Sequence, residues 1–188
     1  MTPILGITAS QITGHLWSPS NSYDSIATTT VGAGGAASIT FSSIPSTYRH
    51  LQIRFIGRIT TGSWADFQLT FNGSGTGYTR HQIEGDGASA SAYGATSQTR
   101  IVIASGTTGS TQTAGVFGAG VTDILDYANT NKYKTVRSLS GGDNNGSGYI
   151  DLQSGLWMDT AAVSSITIQS GVNTLAQYTQ AALYGIKG

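Results

Sequence analysis

Apolar and polar residues alternate along most of the chain, and clusters of glycine, serine, asparagine and proline interrupt the alternation. A period of two is typical of a β-strand with one buried face, and such clusters are typical of turns. The pattern predicts about nine or ten strands, in the segments 26–31, 38–41, 51–56, 65–71, 78–84, 100–104, 116–127, 132–140, 149–158 and 175–186. Residues 165–168 share the composition of these strands.

The spacing of these segments predicts the fold. They follow one another at intervals of about 10 to 18 residues, and no segment predicts a helix longer than one turn. Such spacing favours an all-β, two-sheet antiparallel β-sandwich, jelly-roll-like, with one domain over residues 25–188. The stretches 85–98 and 105–114 are rich in small residues, and we expect them to be surface loops available for binding.

Residues 1–24 differ from the remainder and are expected to form an extended N-terminal arm. Their apolar residues lie among threonine, serine, glycine and proline without a clean period. An arm of this composition is too apolar to be solvated along its whole length. It therefore packs on its own domain or docks on a neighbouring subunit or partner. The candidate contact residues are Ile4, Leu5, Ile7, Ile12, Leu16 and Trp17.

The composition limits the classes of function. The chain has 188 residues and no cysteine, which excludes disulfides, zinc–thiolate sites and a cysteine nucleophile. Nine Lys and Arg balance nine Asp and Glu, so no basic stripe is expected to bind nucleic acid. No apolar run approaches the length of a membrane span. Because charged residues are only 10% of the chain, we expect partners in an assembly to cover much of the surface.

No constellation of residues predicts catalysis. His81 and Glu84 point to opposite faces of a strand, so they form no acid–base pair. Asp123 and Asp126 also point to opposite faces, and we expect them to pair with cations of the returning strand. Those cations are Lys132, Lys134 and Arg137. Without a G-x-S-x-G motif or a carboxylate pair suited to glycoside hydrolysis, we expect no enzyme and no cofactor.

Residues 143–151 raise the question of a calcium site. Four side chains carry oxygen atoms at the spacing of a calcium loop: Asp143, Asn145, Ser147 and Asp151. However, Ser154 stands where such a loop needs a bidentate Glu. The dipeptide Asn145-Gly146 favours a tight hairpin turn, and this turn is the preferred prediction. Asn72-Gly73, after the strand predicted over 65–71, favours a tight turn for the same reason.

Aromatic residues are the other candidates for a binding site, because their flat faces stack on sugars while their polar edges form hydrogen bonds. The candidates are Trp64, Tyr78, Tyr93, Trp157, Tyr178 and Tyr184. Trp157 lies in an apolar strand and is expected to pack in the core. Tyr93 lies in the predicted loop 85–98, where packing explains it least, and it is the best candidate for a surface contact.

Several longer motifs are specific enough to compare the chain with a known protein family. Residues 23–53 carry the pattern Y-x-S-I-A-T-x-T-V-G-x-G-G-x-A-S-I-T-F-S-S-I-P-x-T-Y-x-x-L-x-I. Further motifs are F-N-G at 71–73, Y-A-N-T-x-K-x-K at 127–134, G-L-W at 155–157, A-A-V-S-S-I-T at 161–167 and L-Y-G-I-K at 183–187. On these motifs the chain resembles a family of virion proteins of tailed bacteriophages, common in aquatic phages. The resemblance covers residues 23–187, and residues 1–22 resemble the short leader that often precedes this domain.

The resemblance implies a non-enzymatic β-sandwich of the virion, assembled in the cytoplasm of the bacterial host. It favours a capsid decoration, or cement, protein that is a homotrimer. Its arm would grip the major capsid protein, another virion protein or a neighbouring copy. The alternative is a tail-fibre or head-fibre adsorption module, which would bind a host surface glycan or receptor through the loops 85–98 and 105–114.

Overall fold

Twelve strands in two antiparallel sheets make up residues 22–188, the part of the chain that the computed structural model describes. The strands are β1 (Tyr23–Thr30), β2 (Ser38–Phe41), β3 (His50–Gly57), β4 (Trp64–Phe71), β5 (Tyr78–Gly85), β6 (Ala90–Gln98), β7 (Ile101–Thr108), β8 (Gly118–Leu125), β9 (Lys134–Asp143), β10 (Gly148–Trp157), β11 (Ile166–Ser170) and β12 (Gln180–Ile186). The larger sheet has the order β1-β12-β3-β8-β9-β10-β5-β6, and the smaller has the order β2-β11-β4-β7. The predicted two-sheet antiparallel sandwich is confirmed.

The strand order within this sandwich is that of a jelly roll. The strands pair as if one long hairpin had been rolled up, with β1 on β12, β2 on β11, β3 on β8, and β4 on β7. In this arrangement the β1–β12 and β3–β8 pairs lie in the larger sheet, and the β2–β11 and β4–β7 pairs lie in the smaller sheet. Eight strands in two such layers form the jelly-roll arrangement.

Two inserted hairpins extend the larger sheet beyond this framework. The β5–β6 hairpin lies between β4 and β7 in the chain, and the β9–β10 hairpin lies between β8 and β11. Because β9 pairs with β8 and β10 pairs with β5, the hairpins form one four-stranded extension that ends at β6. Strand β7 packs over β9 and β10, whereas most residues of β6 are exposed.

Alternate side chains of the strands fill the space between the sheets. On β3, Leu51, Ile53 and Phe55 are buried and Arg54 and Ile56 are exposed, with Gln52 as a buried exception. On β4 and β9, buried residues likewise occupy every second position. The period of two that predicted these strands is therefore the period of their burial.

An aromatic cluster lies where β4, β5 and β10 meet. Trp157 stacks on Tyr78 with ring centroids 6.1 Å apart, and Phe71 lies 5.5 Å from Trp157. All three side chains are buried, which confirms the core position predicted for Trp157. The Tyr78 hydroxyl accepts a hydrogen bond from the Phe71 amide at 2.8 Å, so its polar group is satisfied inside the core.

Lys134 is a buried cation that ties two loops to the sheet. Its side-chain ammonium donates to the carbonyl oxygens of Asn129, Lys132 and Thr160 at 2.6, 2.8 and 3.1 Å. Burial lowers the pKa of Lys134. Since all three donors are used by carbonyls, Lys134 is not the cross-strand partner of an aspartate that the sequence suggested.

Two tight turns follow the prediction. Asn72 and Gly73 connect β4 towards β5 with φ of 50° and 70°, and Asn145 and Gly146 connect β9 to β10 with φ of 53° and 110°. Two consecutive residues with positive φ match the right-handed twist of the flanking strands, which explains the choice of Asn-Gly at both places.

Several of the predicted strand limits need correction. Residues 90–98, expected to be part of a loop, form strand β6, and residues 105–108 belong to β7. The long strand predicted over 116–127 begins only at Gly118 and ends at Leu125. Strand β1 begins at Tyr23, so two residues assigned to the arm lie in the sheet. Residues 1–21 of the predicted arm lie outside the described residues.

Close packing between the sheets gives a first prediction. A Cβ atom on Gly57 would overlap the ring of Phe67, whereas a Cβ atom on Gly75 would meet nothing within 4 Å. Gly57→Ala is therefore expected to lower the free energy of unfolding by about 1–3 kcal/mol, because overpacking displaces a buried ring. Gly75→Ala is the matched control and is expected to stay close to the parent protein in urea denaturation. Equal stability of the two variants would contradict the packing described for Phe67.

Candidate interaction surface

A row of apolar side chains crosses the outer face of the larger sheet, the face turned away from the smaller sheet. Strand register places each residue directly opposite the next, on β8, β9, β10, β5 and β6 in turn. We call these residues the outer row: Val121, Leu139, Leu152, Ile83 and Ala92. Directly opposed residues have their Cβ atoms about 4.5–5.5 Å apart, so the row is a continuous surface.

The outer row is exposed to a degree that is unusual for large apolar side chains. Leu139, Leu152 and Ile83 are 50%, 49% and 61% exposed, and Ile150 beside them is 63% exposed. Single exposed apolar residues are ordinary, but a contiguous group marks a contact surface or a binding groove. The extension of the larger sheet therefore presents an apolar surface where a polar one would be expected for a free monomer.

Two open hollows flank the outer row. The larger, of about 970 Å³, lies towards the β9–β10 hairpin and is lined by Phe117, Leu139, Ile150 and neighbouring glycines. The smaller, of about 490 Å³, is lined by His81, Leu152 and the strands around them. Gly94 forms part of its wall, and a Cβ atom there would come within 2.7 Å of the His81 ring. Both hollows open on the outer face, where they widen the apolar surface.

A network around Arg54 ends the apolar row. The Arg54 guanidinium lies over the rings of Tyr184 and Tyr23, at 5.3 and 5.8 Å from their centroids. It also donates to Gln52, which donates to Asp123 at 2.9 Å. The outer row is thus bordered at β3 by a cation, two tyrosine rings and hydrogen-bonded polar groups.

The opposite face of β5 and β6 carries a polar strip. The Arg80 guanidinium lies 4.9 Å from the centroid of the Tyr93 ring. Arg80 also donates to Gln82 at 3.2 Å, Gln82 donates to Glu84 at 2.8 Å, and Ser91 donates to Glu84 at 3.1 Å. Tyr93 remains 51% exposed, so it presents a flat aromatic face fixed by a cation and bordered by hydrogen-bonding groups.

The residues that the sequence predicted as contact candidates lie in different parts of the structure. Tyr93 was expected in a loop, but it stands on the edge strand β6, and its exposure agrees with the predicted surface position. The six apolar arm candidates, from Ile4 to Trp17, lie outside the described residues. Trp64 packs edge-on against Tyr149 with centroids 5.1 Å apart, and Tyr178 is 66% exposed on the link before β12. The outer row was missed, because only strand register reveals it.

A buried carboxyl, that of Asp151, lies between the sheets beneath the extension. Asp151 is 1% exposed and accepts hydrogen bonds from Ser140 at 2.6 Å and Gln153 at 2.9 Å. Burial raises its pKa. Burial also raises the pKa of Asp66, although the Arg80 guanidinium stands 4.0 Å away. Asp151 is enclosed by its own chain, so its carboxyl is placed to organise the interior rather than to meet a substrate.

The other polar candidates have local partners. Lys132 donates to Asp126 at 2.7 Å, which confirms one expected pair, and Arg49 lies 3.1 Å from the same carboxylate. The Lys132 hydrogen bond lowers the pKa of Asp126. Asp123 instead accepts from Gln52, so an ion pair is found for only one of the two aspartates, and it lies in the loop between β8 and β9 rather than across paired strands.

The segment 143–151 is organised as a hairpin turn. The Asp143 carboxylate accepts the Asn145 amide at 2.7 Å, which caps the turn from within. Asp151 points into the sandwich, as its contacts with Ser140 and Gln153 show. The oxygen atoms that the sequence suggested as one ligand set are therefore divided between the turn and the interior.

Two further observations concern residues 22–188 alone. No group of three or more His, Asp or Glu side chains in this range is arranged to hold a metal ion. The same range contains no helix long and apolar enough to cross a membrane.

Comparisons with models of known protein families, with curated proteins and with solved structures found no match to this chain.

Burial of Asp151 generates a prediction about pH. Because its folded-state pKa is raised, the folded protein binds the proton more tightly than the unfolded chain does. The free energy of unfolding contributed by this group therefore falls as the pH rises from the ordinary value of 3.8 through the raised folded pKa. Asp151→Asn removes this titration, and its new amide can donate to the Gln153 Oε1 atom, which is buried without a partner.

We expect urea denaturation between about pH 4 and about pH 8 to show a flatter stability profile for Asp151→Asn than for the parent protein. An unchanged slope for Asp151→Asn would show that Asp151 does not titrate in the folded protein as its burial requires.

Proposed function

We propose that the protein is a non-enzymatic structural protein of a tailed-phage virion, most simply a capsid decoration protein that binds the assembled shell and stabilises it. The observation that carries the proposal is the exposed outer row, because a surface of this kind needs a partner to cover it. The motifs shared with phage virion proteins, above all the pattern at residues 23–53, indicate which kind of assembly supplies that partner.

The charge of the chain supports a role within an assembly. Only 10% of the residues are charged, and the net charge is zero. A free monomer with so little charge gains little protection against association, whereas a subunit packed among neighbours does not need that protection. The proposed partners are other copies of the chain, as a homotrimer, together with the major capsid protein or another virion protein. The proposed location is the virion.

The polar groups of the interior support a structural role. The buried Asp151 and Lys134 are each surrounded by hydrogen-bond partners from their own chain. Such groups hold strands and loops in register at little cost when every bond is made. In the proposal, the sandwich is a rigid platform, and residues 1–21 attach it to a neighbour or to the shell.

A second candidate function is adsorption, and the polar strip on β5 and β6 favours it. An exposed aromatic ring beside Arg80, Gln82 and Glu84 is suited to a sugar, whose apolar face stacks on the ring while its hydroxyls meet the polar groups. In this alternative the protein is a tail-fibre or head-fibre module that binds a glycan of the host surface.

The location of the protein on the particle distinguishes the two functions. Antibody labelling of virions of the encoding phage is expected to spread over the capsid. Leu152→Lys, at the centre of the outer row, is expected to reduce the number of copies per particle at least about tenfold, since it places a charge in an apolar contact. Val172→Lys, at a residue 71% exposed outside the outer row, is the control. Labelling confined to the tail would overturn the decoration proposal.

Deletion of residues 1–17 completes this experiment. We expect the shortened chain to unfold at nearly the temperature of the full chain, yet to be missing from particles, because the arm supplies attachment rather than core. Normal incorporation of the shortened protein would remove the role proposed for the arm.

The adsorption candidate has its own test. If the strip binds sugars, Tyr93→Ala should weaken retention on host surface polysaccharide about fivefold or more, because each stacking contact contributes about 1 kcal/mol or more. Tyr133→Ala, which removes a tyrosine of similar exposure at 52%, should keep retention. Equal retention of the parent protein and both variants, or none at all, would exclude the polar strip as a glycan site.

A further inference from the structure

Strand β6 is an edge strand that lacks protection against pairing. It lies at the end of the larger sheet, so within residues 22–188 its outer backbone edge has no neighbour. It runs for nine residues, contains no charged residue and no proline, and pairs regularly with β5 from Ala90 to Ala95. An edge of this kind is a template for another strand.

The other edges of the described sheets are blunted. Strand β1 carries Asp24 and a bulge between Ser25 and Ala27, and β2 has only four residues. Strand β7 shifts register twice against β4 and packs over β9. Short length, bulges and charge are the usual means of preventing edge pairing. Their absence over most of β6 singles out this edge.

A strand added to β6 would meet a different surface on each side. On the outer face it would continue the outer row beyond Ile83 and Ala92. On the opposite face it would lie beside Ser91 and Tyr93 in the polar strip. Because side chains alternate between the faces, the fitting strand has apolar residues at every second position and small or polar residues between them.

The chain itself contains such a segment outside the described residues. Residues 5–10 read Leu-Gly-Ile-Thr-Ala-Ser, with apolar residues at positions 5, 7 and 9 and Gly, Thr and Ser between them. Residues 1–21 contain no Asp, Glu, Lys or Arg. An uncharged segment of this pattern suits an uncharged edge beside an apolar row.

We propose that residues 5–10 of a second copy of this chain add as a strand to β6. Leu5, Ile7 and Ala9 then lie on the outer face beside Ala92, and Gly6, Thr8 and Ser10 lie beside the polar strip. Main-chain hydrogen bonds provide the pairing, and the apolar side chains extend the outer row. This deepens the proposed function, on which it rests for the existence of an assembly of copies.

The topology favours a second copy over the same copy as the donor. The segment leads into β1, which is the opposite edge of the larger sheet from β6. Seven strand spacings separate these edges, or about 34 Å. The 13 residues from Ser10 to Tyr23 reach about 43–47 Å only when fully extended, so pairing within one copy would need a nearly straight link across the sheet. A head-to-tail contact between copies removes this demand and closes a ring.

Engineered cysteines test the proposal, since the full chain has none of its own. Ile7→Cys combined with Ala92→Cys is expected to form disulfides between copies under mild oxidation, because residues on the same face of paired strands bring their Cβ atoms close enough. Ile7→Cys with Ser91→Cys is the matched control, at a neighbouring exposed position on the other face. Cross-linked oligomers on a denaturing gel should be at least about tenfold more abundant for the first pair.

If register places Ile7 opposite Ala90 instead, the same preference for the outer face should appear with a cysteine at that position. Hydrogen exchange provides an independent readout: in the full chain, the β6 amides that do not bond to β5 should be protected, and deletion of residues 1–17 should expose them. Cross-links within single chains would show that the added strand comes from the same copy, which overturns the proposal. Equal cross-linking at both faces, or unprotected β6 amides, would also overturn it. If any of these results is found together with labelling of the capsid, the decoration function stands and only the strand pairing is overturned.

Discussion

The pairing of β10 with β5 is the interaction on which the distinctive part of this molecule depends. It joins two hairpins that are separate insertions in the chain, with Ile150 opposite Gly85 at one end and Trp157 opposite Tyr78 at the other. A shift of one residue in this register would turn every side chain of β10 to the other face. Asp151 would then face solvent and Leu152 would face the interior.

The core side holds that register. Trp157 and Tyr78 stack beside Phe71 at one end of the pair, and Gly155 leaves space that Ile101 fills, since a Cβ atom there would come within 2.5 Å of the Ile101 side chain. On the other side of β10, Asp151 adds a polar constraint, because its hydrogen bond to Ser140 crosses to β9 at the observed β9–β10 register. Packing and polar satisfaction on one face thus decide what the other face presents.

This arrangement connects the fold with the proposed role. The two layers of a jelly roll cover one another on their inner faces, and the extension adds four strands to the larger sheet, which supply the edge strand β6 and four of the five residues of the outer row. The surface is therefore a consequence of topology: the inserted hairpins bring the strands that carry it side by side. A capsid subunit or a neighbouring copy is the kind of partner that can cover such a surface.

The residues themselves determined the local structure. Alternation along the chain was sufficient to predict the sandwich, and Asn-Gly at 72–73 and 145–146 was sufficient to predict two turns, because both signals depend on neighbours in sequence. Strand β6 escaped prediction, since its Ala, Ser and Gly residues have no apolar period and become a strand only because β5 pairs with them. The outer row escaped as well: Leu139, Leu152 and Ile83 come from three strands, and each alone resembles an ordinary exposed residue. Only the register of distant strands, a tertiary property, brings them into one surface.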